Sequence, residues 1–404
     1  MSFFECECEC GDGLFLALFD CRSKSGFPVR RMFWLQFRSV RPLPCGVRRK
    51  LLKNVSRIVV KLGTGLLTDK RNGLHRARMS QLADQLAALR KAGKEIVIVS
   101  SGAVGAGMGG LDFKKRPTRL AELKACAAVG QLRLMATYER LFARHGQRVA
   151  QVLLTHEDLR HKERHLNARD TLNKLLELGV IPIVNENDAV SVTELQFGDN
   201  DRLSALVASL LPADLLVILT TVDGVIENFG EANPWIISTI EKIDDRIVRM
   251  AKGTMSDTAT GGMTAKLEAA RIVTRSGIPL IIAGGGKFNV MEPILNGENE
   301  GTIFLPDEKK LKSRKRWIAF FHHPKGAVLV DEGAVKALRE NGKSLLRPGI
   351  VSVEGMFADG DVVRICDGRG TEFARGIAAF DSKTLTAGGA IRGAVVHRDN
   401  LVIL

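Results

Sequence analysis

Arg57–Gly65 reads RIVVKLGTG: a β-branched run, RIVVK over Arg57–Lys61, that stops in a glycine turn at 63–65. A short apolar run bounded by glycine is the pattern of a strand covered on both faces. Helical periodicity follows over Met79–Ala92, and EIVIVSSG repeats the unit, with a strand over Ile96–Val99 running into glycine and a helix. The alternation continues with helix Leu120–Arg144, strand Val149–Leu154, helix Arg164–Leu178, strand Val180–Val184 and helix Arg202–Leu211. Strand Leu215–Leu219, helix Met263–Arg275 and strand Pro279–Ala283 complete it. Apolar strands separated by amphipathic helices predict an α/β class: a three-layer α/β/α sandwich around a mainly parallel sheet. In such sheets ligands collect at the carboxyl ends of the strands, which is where chemistry is to be sought.

The remaining composition excludes several classes. The chain has 404 residues, 45% hydrophobic and 26% charged, enough for two or three domains, and no apolar run approaches a membrane span. A cytoplasmic location is expected. The net charge of +14 is unevenly shared: residues 1–54 and 306–404 each carry +5, and the long stretch between them only +4. Five of seven cysteines, Cys6, Cys8, Cys10, Cys21 and Cys45, fall in the first 50 residues. CECEC lacks a second ligand cluster at zinc-finger spacing, so no metal site is assigned. Residues 1–54 show neither helical nor strand periodicity and read as a disordered extension or an over-long gene start. His156, His161 and His165 share a helical spacing and read as surface residues, and Cys126 as a core residue.

Two phosphate-binding motifs fail. Gly105, Gly107 and Gly110 satisfy G-x-G-x-x-G after a strand, but a long helical stretch follows where a dinucleotide fold needs a second strand ending in an acidic residue. No stretch matches the P-loop, and GGGK at 284–287 lacks its upstream glycine and its hydroxyl.

The strand ends nevertheless carry polar clusters. Lys61 closes the first strand beside Gly63, Thr64 and Gly65, which allow close backbone approach to an anion. Ser100, Ser101 and Gly102 close the second at a helix start. NEND (Asn185–Asp188) ends a later strand, FGDND (Phe197–Asp201) precedes a helix, TTVDG (Thr220–Gly224) ends another strand, and TGGMTAK (Thr260–Lys266) opens the last helix. In TGGMTAK the lysine stands one helical turn past Gly262, inside the helix, unlike the lysine of a P-loop.

RIVVKLGTGLL, EIVIVSSGAVGAG, LNARDTL, IVNENDAV, FGDNDRLSALVA and TGGMTAKLEAA together resemble the bacterial glutamate 5-kinases of the amino acid kinase family, over about 55–305. GAVLVDEGAVKAL, SLLRPGI and GMFADGDVVRI resemble the small, mostly-β PUA domain that this group carries at its C-terminus. The resemblance implies a catalytic domain over 55–305 with the amino acid kinase fold, a linker over 306–323 and a PUA domain over 324–404. It implies transfer of the γ-phosphoryl group of ATP to the side-chain carboxylate of L-glutamate, the first step of proline biosynthesis. That carboxylate has a pKa of about 4.3 and is ionised at neutral pH, so no general base is needed. Charge repulsion is the obstacle: at about 4 Å and an effective dielectric near 20, each unit pair costs about 4 kcal/mol, and cations should dominate the site.

By resemblance, Lys61 and Lys266 are catalytic and Asp201 orients them. Ser101, Asp188 and Asn200 bind glutamate. Lys61, Gly63, Thr64, Thr220, Thr221, Thr260, Gly261, Gly262, Met263, Thr264, Ala265 and Lys266 bind the nucleotide, whose Mg²⁺ is held by phosphate and water oxygens rather than by a fixed protein ligand. Proline as a feedback inhibitor and a homo-oligomer are further expectations. Three departures stand out: Thr221 replaces an aspartate common in relatives, Val225–Ser238 is a short arm over the adenine, and TAGGAIRGAVV replaces a longer segment between Leu385 and His397. Another carboxylate or carbamate kinase of the family, and an RNA-binding protein using its PUA domain and the basic run KKLKSRKRW at 309–317, remain as alternatives.

Overall fold

The computed structural model describes residues 20–22, 28–30, 45–69, 73–191, 200–229, 233–252, 262–308, 311–322, 324–387 and 392–404. The chain divides into two compact units, Met1–Pro44 and Cys45–Leu404. In the first, the described residues form two short antiparallel strands, Asp20–Arg22 and Pro28–Arg30.

In the second unit the apolar runs become the centre of an eight-stranded sheet. Its strands are β1 (Arg57–Leu62), β2 (Glu95–Ser100), β3 (Arg148–Leu154), β4 (Val180–Glu186), β5 (Leu215–Thr220), β6 (Thr239–Ile240), β7 (Leu280–Gly284) and β8 (Thr302–Phe304), in the spatial order β6-β8-β7-β5-β1-β2-β4-β3. Each pairing is parallel except that of β7 with β8, which is antiparallel. The strands β6 and β8, at one side of the sheet, thus run against the other six.

Strand alternation then assigns the faces. Ile58, Val60 and Leu62 pack with helices α1 (Arg76–Lys91) and α2 (Leu120–Ala143). Val59 packs on the opposite face with α3 (Lys162–Glu177), α4 (Asn200–Leu210) and α5 (Met263–Arg275). Lys61, two residues after Val59, is committed to that second layer. This is the three-layer sandwich the alternation predicts.

Of Gly105, Gly107 and Gly110, the middle one has a clear structural role. A Cβ on Gly107 would lie 1.7 Å from the Cys126 carbonyl oxygen, and one on Gly130 1.7 Å from that of Ala103. The short helix Ala103–Met108 and α2 meet backbone to backbone there, and Cys126 is fully buried in the contact.

Helix Cys45–Leu52 lies upstream of the expected start of the catalytic domain, within the segment that shows no sequence periodicity. Arg48 in it donates to Asn299 Oδ1 at 3.2 Å and to the Glu300 carbonyl, and Leu52 is buried. Gly297, at φ +74°, faces Arg49 so closely that a Cβ would sit 2.6 Å from its Cα.

The C-terminal domain is built on strands β9 (Gly326–Val330), β10 (Ile350–Gly355), β11 (Val362–Cys366), β12 (Glu372–Ile377) and β13 (Leu401–Ile403), ordered β10-β9-β11-β12-β13. Its own core includes Val328, Leu338, Val363, Phe373 and Val396. Residues 388–391 of the shortened segment lie outside the described residues, and Ala394–Val396 pairs antiparallel with Leu345–Leu346.

The described residues of the expected linker, 306–323, pack against both domains through Ile318, Phe320 and Phe321. Trp317–Phe321 form a π-helical turn whose Ile318, Phe320 and Phe321 join the core shared with Leu267 and Val362. Trp317 meets the His322 ring edge-on at 4.0 Å. Burial and the neighbouring Arg160 push the His322 pKa down to about 4. His165, expected at the surface, is half-buried and stands edge-on to Phe321 at 4.7 Å. Of the basic run, Lys309 and Lys310 lie outside the described residues, while Arg316 is buried.

Candidate active site

β1 delivers Lys61 to the α4/α5 side of the sheet at its carboxyl end. The chain then turns at Gly63, whose N–H donates to the Leu219 carbonyl of neighbouring β5 at 3.1 Å. A side chain at 63 would lie 3.3 Å from that oxygen and 3.8 Å from Lys61 Nζ, so glycine keeps the space before the ammonium open. Thr64 begins a one-turn helix, and a Cβ on Gly65 would come within 2.9 Å of the Thr221 methyl group. The turn after β1 and the end of β5, which carries Thr220 and Thr221, are therefore in contact.

Asp201 is the second residue of α4, where a carboxylate also complements the helix dipole. Its Oδ1 lies 2.5 Å from Lys61 Nζ and its Oδ2 2.9 Å from Lys266 Nζ. One carboxylate, wholly buried, thus holds two ammonium groups whose side chains are only 4% and 6% exposed. Breaking a pair of this kind is strongly destabilising. Lys61, Asp201 and Lys266 come from three separate elements.

Lys266 lies one turn into α5, whose N-cap, Gly262, receives no side-chain cap. The first amides of a helix are a natural anion site. Among the described residues, a Cβ on Gly262 would meet nothing within 4 Å. Met263 and Ala265 are half-buried and Thr264 is exposed. Thr260 and Gly261 lie outside the described residues.

A polar pocket adjoins the lysines at the end of β2. Asn200, preceding Asp201, donates from Nδ2 to Ser101 Oγ at 2.9 Å, to the Ser100 carbonyl at 2.9 Å and to Asn185 Oδ1 at 3.0 Å. Its Oδ1 is buried and accepts no hydrogen bond among the described residues. A buried acceptor left unsatisfied carries a desolvation cost, so this atom is poised for a donor supplied by a ligand. Ser101 follows the β2 end, before Gly102 turns the chain at φ +98°.

Asn185 is held in turn by a chain of amides: it donates to Gln131 Oε1 at 2.9 Å, and Gln131 donates to Gln151 Oε1 at 3.1 Å. Ser100 shares a 2.8 Å hydrogen bond with Tyr138, whose phenol is driven upward in pKa by complete burial. Asp188, beyond the end of β4, is half-buried. Desolvation raises its carboxyl pKa against the opposing pull of Arg116. No hydrogen bond joins Asp188 to Ser101 or Asn200 among the described residues. Arg116, Gln131 and Tyr138 had no motif to mark them. They lie in a loop and on one face of a long helix, and only folding brings them to the strand ends.

The sequence matches the amino acid kinase family over residues 56–284 and the PUA domain over 326–396. A glutamate 5-kinase of Geobacter sulfurreducens is 44% identical over 373 residues, covering 89% of this chain and all of the relative. One of Methylococcus capsulatus is 45% identical over 370 residues, covering 88% of this chain and 99% of the relative. A solved UMP kinase from Bacillus anthracis superposes with a TM-score of 0.45 at 19% identity, covering 63% of this chain and 97% of that one. Together the family match and these near full-length relatives establish that the chain belongs to the amino acid kinase family and carries a C-terminal PUA domain.

Proposed function

We propose that the chain is an ATP-dependent glutamate 5-kinase, forming L-glutamyl 5-phosphate and ADP. The observation that carries the reading is Asp201 bridging Lys61 and Lys266 directly beside the Ser101–Asn200 pocket. A side-chain carboxylate oxygen of glutamate attacks the γ-phosphorus in line. The bond from phosphorus to the β,γ-bridging oxygen breaks as the new one forms, and its electron pair leaves on ADP. No proton moves, which accords with a centre built from cations and one positioning carboxylate.

Lys61 and Lys266 neutralise the phosphoryl oxygens, and Asp201 fixes both ammonium groups before substrate arrives. The turn Gly63–Thr64, the strand end Thr220–Thr221 and the residues from Thr260 to Ala265 hold the nucleotide. Ser101 and Asn200 receive glutamate, and Asn200 Oδ1 and Asp188 accept from its ammonium group. Among the described residues no group of three His, Cys, Asp or Glu side chains is disposed to hold a metal ion. The divalent cation of a kinase, proposed as Mg²⁺, is assigned to phosphate and water oxygens because a hard cation that dehydrates reluctantly is commonly carried by its nucleotide, and no step depends on a protein ligand for it. Proline inhibition at the glutamate pocket, self-association and a cytoplasmic location belong to the same proposal. Among the described residues no helix is long and apolar enough to cross a membrane.

RNA binding finds less support. Trp317, the aromatic residue of the basic run, is packed on His322 rather than presented for base stacking. The test is ADP release with alternative acceptors. Glutamate is expected to outperform aspartate, N-acetylglutamate and carbamate; a higher rate with any of those would reassign the acceptor.

A further inference from the structure

A cavity of about 530 Å³ opens between the catalytic domain and the C-terminal domain, away from the Lys61–Lys266 centre. Its volume falls within the range of small-molecule sites. Ile240, Ile272, Phe304 and Phe320 give it an apolar floor; Arg202, Arg271, Arg275, Arg375 and Lys242 stand around it and outnumber the lining carboxylates Glu241, Glu268 and Asp307.

The arginines are not neutralised equally. Arg375 is fixed by Glu372 at 2.6 Å and donates to the Ala319 carbonyl at 2.8 Å. Arg275 donates to the Ile403 carbonyl at 2.5 Å. Arg202 reaches only Glu268, at 4.0 Å, the outer limit of an ion pair. Desolvation lowers the Arg202 pKa, Glu268 opposes that shift, and the positive charge of Arg375 adds a smaller push downward. Two guanidinium groups from different domains thus stand on one wall, Arg375 held by its own carboxylate Glu372 and Arg202 without a close one. Planar guanidinium forks match the oxygens of a phosphate, and such a pair is brought to rest by a shared anion.

We infer that this interdomain cleft is a binding site for a small organic phosphate, its phosphate between Arg202 and Arg375 and its apolar body on Ile240, Ile272 and Phe304. Position in the chain gives occupancy a route to the reaction. Arg202 directly follows Asp201 on α4, and Ile272 and Arg275 lie on the helix that carries Lys266. A ligand that draws Arg202 toward β12 acts on the two helices whose N-terminal turns hold the lysine pair. The site does not depend on which acceptor the catalytic centre uses.

The full chain is titrated with phenyl phosphate by ligand-observed NMR at saturating ADP, which occupies the nucleotide phosphate site, and the titration is repeated with Arg202→Gln. Arg202 has only its long contact to Glu268, so this change leaves no buried partner stranded; circular dichroism and melting confirm the fold. Binding that persists with ADP, weakens at least fivefold in the variant and falls with added salt is the expected result. Binding abolished by ADP, unchanged in Arg202→Gln, equalled by benzoate, or undetectable in the millimolar range would overturn the inference.

Discussion

Replacing Asp201 by Asn keeps the side chain's shape and removes the charge between two ammonium groups. In the wild-type chain the carboxylate oxygens lie 2.5 and 2.9 Å from Lys61 and Lys266 with almost no solvent contact, so water cannot replace the lost charge. Removing one partner of a buried ion pair costs about 3–5 kcal/mol, and here one change affects two pairs. If that loss fell wholly on the transition state it would slow turnover by roughly 10²–10⁴-fold.

The assay is coupled ADP release, run beside urea unfolding, on Asp201→Asn and on the double variant Asp201→Asn, Lys266→Met. The single variant is expected to lose both stability and turnover. The double variant removes the repulsion between stranded cations and is expected to recover stability while remaining inactive, so the two effects separate. An Asp201→Asn chain with turnover within threefold of wild type and an unchanged unfolding midpoint would refute the reasoning that one carboxylate positions both lysines.

Other predictions follow from single contacts. Gly107→Ala drives a methyl group into the Cys126 carbonyl, 1.7 Å from an ideal Cβ, and is expected to lower the melting temperature by an amount matching about 2 kcal/mol or more; an unchanged melt would mean the two helices can part at no cost. Asn200→Ala removes the hydrogen bond to Ser101 and the unsatisfied acceptor, and is expected to raise KM for glutamate about tenfold or more with little change in KM for ATP, measured by initial rates. The raised pKa of Asp188 means that the folded state binds its proton more tightly than the unfolded state, so this group's contribution to stability decreases as pH rises through the interval between its ordinary value and its raised one. Asp188→Asn should therefore stabilise the fold at neutral pH while raising KM for glutamate. Wild-type KM should rise as acid protonates the carboxylate, and the variant's KM should lose that dependence.

The sandwich was legible because strands buried on both faces are continuously apolar, and a parallel sheet surrounds them with amphipathic helices. RIVVK and EIVIV could be read this way, and Lys61 was conspicuous as a charged residue at the end of such a run. The short strands Thr239–Ile240 and Thr302–Phe304 were not legible, since two or three residues carry no period. Helix Cys45–Leu52 is rich in basic residues and is held by Arg48 against Asn299 and Glu300, partners far along the chain. The glycines at 105–110 fit a phosphate-loop spacing, yet Gly107 serves a helix crossing, because a missing Cβ suits close approach to a carbonyl as well as to a phosphate. The arginine-lined cleft draws Arg202 and Arg375 from different domains, which neither local sequence announces.

The central claim, phosphoryl transfer to a carboxylate between two lysines, is tested most directly by trapping the product. Acyl phosphates react with hydroxylamine to give a hydroxamate and phosphate, so glutamyl hydroxamate formed from ATP and glutamate reports the transfer itself. The account predicts hydroxamate only when both substrates are present, and a drop of at least about 10³-fold in Lys266→Met, with KM for glutamate within about threefold of wild type. Hydroxamate formed by Lys266→Met at the wild-type rate would contradict it.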